Sequence, residues 1–148
     1  MAVLQTTRVG NGAYSSWWMT QLNIYSFSTT STEPLYFHFK TNISAATEKI
    51  AALEAVGYNY GQTLAVRCFQ AFYTTAYNST TTKGSNYSGD GLFPNGVYTS
   101  SDNYACVRFY TSSAYYLGFI LNAYTSYNYG QSVSILAASQ NSTSGNYY

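Results

Sequence analysis

The feature that most constrains this chain is a two-residue rhythm of apolar and polar side chains that returns segment after segment. Over residues 35–43, Phe37, Phe39, Thr41 and Ile43 fall on one side, and Tyr36, His38, Lys40 and Asn42 on the other. Successive side chains of a strand point to opposite faces, so this spacing predicts a strand with one face in a core. Residues 64–76 repeat the pattern, with Leu64, Val66, Cys68, Gln70 and Phe72 opposite Ala65, Arg67, Phe69, Ala71 and Tyr73. Residues 102–111 do so again, with Ala105, Val107 and Phe109 opposite Tyr104, Cys106, Arg108 and Tyr110. Residues 115–125 are apolar on both sides and read as a central strand. Residues 132–138 give the last strand, and Leu22 and Ile24 begin the same rhythm within residues 13–27.

Two stretches depart from it. Residues 45–55 are rich in alanine and look helical alone, but the Gly57-Tyr58-Asn59-Tyr60-Gly61 turn signal follows. A loop leading into a strand over 50–58 is the expectation there. Residues 77–96 are rich in Ser, Thr, Asn and Gly and read as one long loop of the functional kind. The string Tyr58-Asn59-Tyr60-Gly61-Gln62 recurs as residues 127–131, and two equivalent turns are expected. The fold class is all-β: a single-domain β-sandwich, jelly-roll-like, with seven to eight strands. Residues 1–12 form an N-terminal arm or edge strand, 13–139 the sandwich, and 140–148 a polar tail.

Composition bounds the chemistry. At 148 residues the chain can bury a core without disulfides or metals. Only 7% of residues are charged, against roughly 25% in ordinary globular proteins, which removes most of the material for acid–base catalysis. A net charge of +1 supplies no field for gripping nucleic acid or an anionic membrane, and neither is expected as a partner. Tyrosine, present 18 times, takes the place of charge, a composition suited to permanent assembly. The N-terminal residues carry no basic segment followed by an apolar run, so standard secretion is not expected and assembly in a cytoplasm is.

Individual groups give no catalytic pattern. His38 is the sole histidine and lacks a nucleophile in motif context, so a strand histidine at a subunit contact is the better reading. Neither Glu48 and Glu54 nor Asp90 and Asp102 show glycosidase-like spacing. Asp90, in Ser88-Gly89-Asp90-Gly91, lacks the alternating ligands of a calcium loop. Cys68 and Cys106 are either two buried thiols or a disulfide between strands; they form no zinc motif. No enzyme activity, cofactor or metal is expected. The candidate interface residues are Trp17, Trp18, His38, Lys40, Arg67, Arg108, Tyr147 and Tyr148, with Arg67 and Arg108 expected to pair with Glu54 or Asp102 at a subunit seam. The alternative is a glycan contact in the 77–96 loop through Tyr87, Asp90 and Phe93, and the pair Tyr115/Tyr116 is a further aromatic set able to stack on sugars or fill an interface.

Three strings carry a resemblance: His38-Phe39-Lys40-Thr41-Asn42-Ile43, then Glu54-Ala55-Val56-Gly57-Tyr58-Asn59-Tyr60-Gly61, then Gly96-Val97-Tyr98-Thr99-Ser100-Ser101-Asp102-Asn103-Tyr104 with Arg108. In order and spacing, over roughly residues 35–140, the chain resembles short virion structural proteins of tailed bacteriophages that infect cyanobacteria and marine bacteria. Phe39 stands where that pattern leads one to expect a smaller aliphatic residue. The resemblance implies a virion location and a β-rich surface module. The expected function is a capsid cement or decoration protein, a homotrimer bound to the major capsid protein or other virion proteins. A tail-fibre or tail-tip adhesin that binds a host surface glycan is the alternative.

Overall fold

The computed structural model describes residues 5–9, 18–30, 35–60, 64–89, 91–126, 132–142 and 144–148. These form ten strands: β1 (Gln5–Val9), β2 (Trp18–Thr29), β3 (Leu35–Ser44), β4 (Lys49–Asn59), β5 (Leu64–Thr75), β6 (Thr80–Ser88), β7 (Phe93–Thr99), β8 (Tyr104–Thr111), β9 (Leu117–Ser126) and β10 (Ile135–Asn141). They build a β-sandwich of a six-stranded sheet, β1-β2-β9-β4-β5-β6, and a four-stranded sheet, β10-β3-β8-β7. All neighbouring strands run antiparallel. The all-β sandwich read from the alternation is therefore what the chain adopts, with ten strands in place of seven to eight. A jelly roll sets its first strand beside its last. Here β1 lies beside β2 and β10 beside β3, so the jelly-roll pairing is not completed.

The core is made by the faces that the sequence marked. Phe37, Phe39 and Ile43 of β3 and Ala105, Val107 and Phe109 of β8 are buried from one sheet. Leu53, Val66, Cys68, Phe72, Phe119 and Leu121 meet them from the other. Phe119 joins the layers, with its ring 5.5 Å from Phe37, 6.1 Å from Phe39 and 5.4 Å from Phe27. Each fully buried phenylalanine contributes roughly 1.5–3 kcal/mol through area removed from water. Two of the buried polar side chains are bonded across the fold: Thr41 Oγ1 donates to Ala105 O at 2.8 Å, and Gln21 Oε1 accepts from the Val133 N–H.

The alanine-rich stretch resolves as expected, a turn at 45–48 and then β4, because Ala51, Leu53 and Ala55 point inward with a period of two. The 77–96 segment does not form one long loop. Only residues 76–79 turn, and β6 and β7 occupy most of the rest. Both are outermost strands in which, Tyr98 apart, no residue is buried, so β-branched Thr80-Thr81-Thr82 pairs with β5 without an apolar stripe to announce it. Thr81 N–H donates to Thr99 Oγ1 at 2.9 Å, which joins the two sheets along that side. Of the repeated string, Tyr58 and Asn59 end β4; residues 61–62 and the second copy, 127–131, lie outside the described residues.

Candidate functional site

Three surfaces carry the functional candidates. The first is the outer face of the four-stranded sheet, where the alternation of β3 and β8 places His38, Lys40, Cys106 and Arg108 side by side. The chain covers this face with its own C-terminal residues. The Tyr147 ring lies 5.8 Å from the His38 ring and 5.0 Å from Tyr148. Arg108 Nη1 donates to Gly145 O at 3.1 Å, and Tyr147 N–H donates to the Tyr98 hydroxyl at 3.3 Å. His38 is completely buried as a result, with Nδ1 3.0 Å from that same hydroxyl.

The charged partners differ from those expected. Lys40, not an arginine, pairs with Asp102 and sits 5.3 Å from the Tyr104 ring and 6.0 Å from that of Tyr148. Lys40, with Ser100 after it, holds the Asp102 carboxyl below the usual carboxylate range. Arg108 is a strap for neutral groups: Nε donates to Asn95 Oδ1 at 2.7 Å and Nη2 to Asn95 O at 3.1 Å. A guanidinium fork matches this array of carbonyl oxygens as well as it matches a carboxylate. Arg67 stands exposed on the other sheet. Trp17 and Asp90 lie outside the described residues, and of Trp18 only the backbone pairings with Val9 and Ser126 are described.

Beneath the tail, Tyr98 and Cys106 face each other across β7 and β8. Burial first, then the neighbouring Cys106 thiol, push Tyr98 up to about 12; burial pushes Cys106 up to about 11. Cys68, buried in β5 of the opposite sheet, is raised further still; both cysteines are free thiols. Tyr98 and Cys106 hold their protons more tightly folded than unfolded. Their contribution to stability is complete below the ordinary values of 9 and 10 and is lost as pH rises through the folded values. Thermal melts should therefore show stability falling by on the order of 2 kcal/mol from pH 9 towards 12. Tyr98→Phe should lessen that decline without removing it, because the buried Cys106 and Cys68 thiols stay raised, while lowering neutral-pH stability by about 1 kcal/mol through the lost hydrogen bonds. A wild-type melting temperature constant to pH 11.5 would contradict this assignment.

The second surface is the outer face of the six-stranded sheet. Cross-strand register aligns Ile50 with Tyr73, Val56 with Ile120, and Tyr58 with Gly118. These side chains are exposed: Ile50 by 47%, Val56 by 37%, Tyr58 by 59%, Tyr73 by 41% and Ile120 by 38%. A shallow hollow of about 410 Å³ runs across Ser26, Val56, Tyr58, Gly118 and Ile120. Its walls are apolar rings, methyls and small hydroxyls, with no charge. Strand β4 alternates buried and exposed apolar residues here, which is why an inward-facing core pattern did not reveal the outward one.

The third surface is one tip of the sandwich. Four exposed tyrosines, Tyr58, Tyr60, Tyr115 and Tyr116, line a hollow of about 400 Å³. Ring centroids are 4.4 Å apart for Tyr115–Tyr116, 6.0 Å for Tyr60–Tyr116 and 6.4 Å for Tyr60–Tyr115. Leu117 N–H donates to Ala114 O at 3.1 Å, which makes Tyr115 and Tyr116 the central pair of a tight turn. The turn is fixed from within: buried Asn59 donates through Nδ2 to Ser113 O at 2.5 Å, and Tyr60 N–H donates to Tyr116 O at 3.4 Å. Of this group the sequence singled out Tyr115 and Tyr116 and left out Tyr58 and Tyr60.

The alternative glycan contact of the sequence does not converge. Tyr87 pairs with Phe69 on the outer face of the six-stranded sheet, whereas Phe93 pairs with Tyr110 on the outer face of the four-stranded one. The two rings thus stand on opposite sides of the sandwich. Among the described residues no group of three His, Cys, Asp or Glu side chains is placed to hold a metal ion. Comparison with protein-family models, curated proteins and solved structures finds no match for this chain.

Proposed function

We propose that this chain is a structural protein of the exterior of a tailed-phage particle, a capsid cement or decoration protein that stabilises the shell and performs no chemistry. The observation that carries this reading is the largely apolar outer face of the six-stranded sheet, which the described residues leave exposed at Ile50, Val56, Tyr58, Tyr73 and Ile120. Monomers seldom leave aligned Ile, Val and Tyr side chains facing water, and such a face marks a surface meant for other protein. The virion assignment rests on the sequence resemblance. The partners are the major capsid protein, or other virion proteins, and neighbouring copies of this chain in a trimer. Protein that binds only the assembled shell stabilises it by mass action.

Particles assembled without the chain should be more heat-labile, and adding purified protein should restore them. The double variant Val56→Glu/Ile120→Lys sets opposite charges across one strand pair, with Arg67 beside the new carboxylate, so it should fold as before and fail to restore heat resistance. Particles lacking the chain yet equally heat-resistant would end this proposal. The tail-fibre or tail-tip adhesin is favoured by one observation, the tyrosine group at the tip, and would be present in only a handful of copies.

A further inference from the structure

We propose that the tyrosine tip is a binding site for a neutral glycan. Two hollows share Tyr58 and Tyr116 as a common wall. One is lined by Tyr58, Tyr60, Tyr115 and Tyr116; the other adds Ser28, Thr29 and Thr30. Aromatic faces beside hydroxyl groups are what a pyranose ring needs: its C–H face packs on a ring while its hydroxyls exchange hydrogen bonds with hydroxyls. Among the described residues no charged side chain lines either hollow, so none of them favours an acidic sugar over a neutral one.

An independent observation comes from the backbone. Tyr116 has φ of +50°, in the left-handed region, at a turn position that ordinarily takes Gly or Asn. Its ring is 46% exposed, so core burial does not repay that strain. Strain held at an exposed aromatic residue is the mark of a ring kept for what it touches. The supporting bonds from Asn59 and Tyr60 hold the turn in place, so the rings are arranged before any ligand arrives. A protein partner would be served equally by a tyrosine patch without hydroxyls around it; the Ser28, Thr29 and Thr30 hydroxyls beside these shallow hollows favour a sugar.

The test uses the full chain with maltohexaose, cellohexaose, chitohexaose and mannohexaose as probes, followed by calorimetry and by NMR shifts. At least one should bind, and Tyr60→Ala should weaken it about tenfold. Tyr116→Gly should lose binding while raising the melting temperature, because strain is relieved as the ring is removed. Ile50→Lys, at the far end of β4 from Tyr58, should retain binding, which separates this site from the assembly face. No binding by any of the four probes would overturn the proposal. So would a Tyr116→Gly variant that melts lower than wild type, because the ring would then be structural. Loss of particle attachment by Tyr60→Ala in a chain that binds no probe would assign the tip to a protein partner instead.

Discussion

Replacing Gly57 with alanine is expected to destabilise the fold by roughly 3 kcal/mol or more, a loss large enough to leave much of the chain insoluble. Gly57 lies in β4 opposite Phe119 of β9, between the two most central strands of the larger sheet. A methyl group there would overlap the Gly118 carbonyl oxygen and stand 2.6 Å from Phe119 Cα. Both are backbone atoms in a paired strand, so neither can swing aside as a side-chain tip would. The strands must part, and the parting would pull Phe119 from its contacts with Phe37 and Phe39. Gly118→Ala is the control. Its nearest new neighbour is Tyr58 Cε1 at 3.5 Å, an ordinary contact, and the expected cost is under about 1 kcal/mol. Urea unfolding of the two variants checks the contrast, and equal midpoints would refute it.

Phe39→Ala is expected to cost roughly 3–5 kcal/mol, which for a chain of this length lowers the melting temperature by about 10 °C or more. The ring is fully buried and reaches rings from both sheets, with Tyr25 at 5.4 Å, Phe109 at 5.9 Å and Phe119 at 6.1 Å. Truncation leaves a cavity walled by other large rings, which are locked by their own neighbours and cannot collapse into it. Phe39→Leu keeps most of the volume and should cost about 1 kcal/mol. Phe39 is thus an integral part of this core. Thermal melts of the two variants test the ranking.

How legible the molecule was depends on which physical signal each part left in the chain. Strands β3, β5 and β8 have one dry face and one wetter face, so burial wrote a period of two into them. Strands β6 and β7 lie at sheet edges, where only Tyr98 is buried and threonine serves as well as valine; composition there imitates a loop. The docking of the C-terminal residues left no pattern, since Tyr147 and Tyr148 meet His38 and Lys40 only through tertiary folding. The tyrosine tip was half legible: Tyr115 and Tyr116 are adjacent, but Tyr58 and Tyr60 come from a distant strand end. The turn beneath them was hidden because tyrosine occupies a position where glycine would have announced it.

The central claim is that the largely apolar outer face of the six-stranded sheet, exposed at Ile50, Val56, Tyr58, Tyr73 and Ile120, exists to be covered by the proteins of a particle. Its most direct test is the number of copies of this chain retained by purified, salt-washed particles, measured by quantitative mass spectrometry. The predicted result is a copy number that scales with the capsomers of the shell. Particles that retain none of the chain would contradict it.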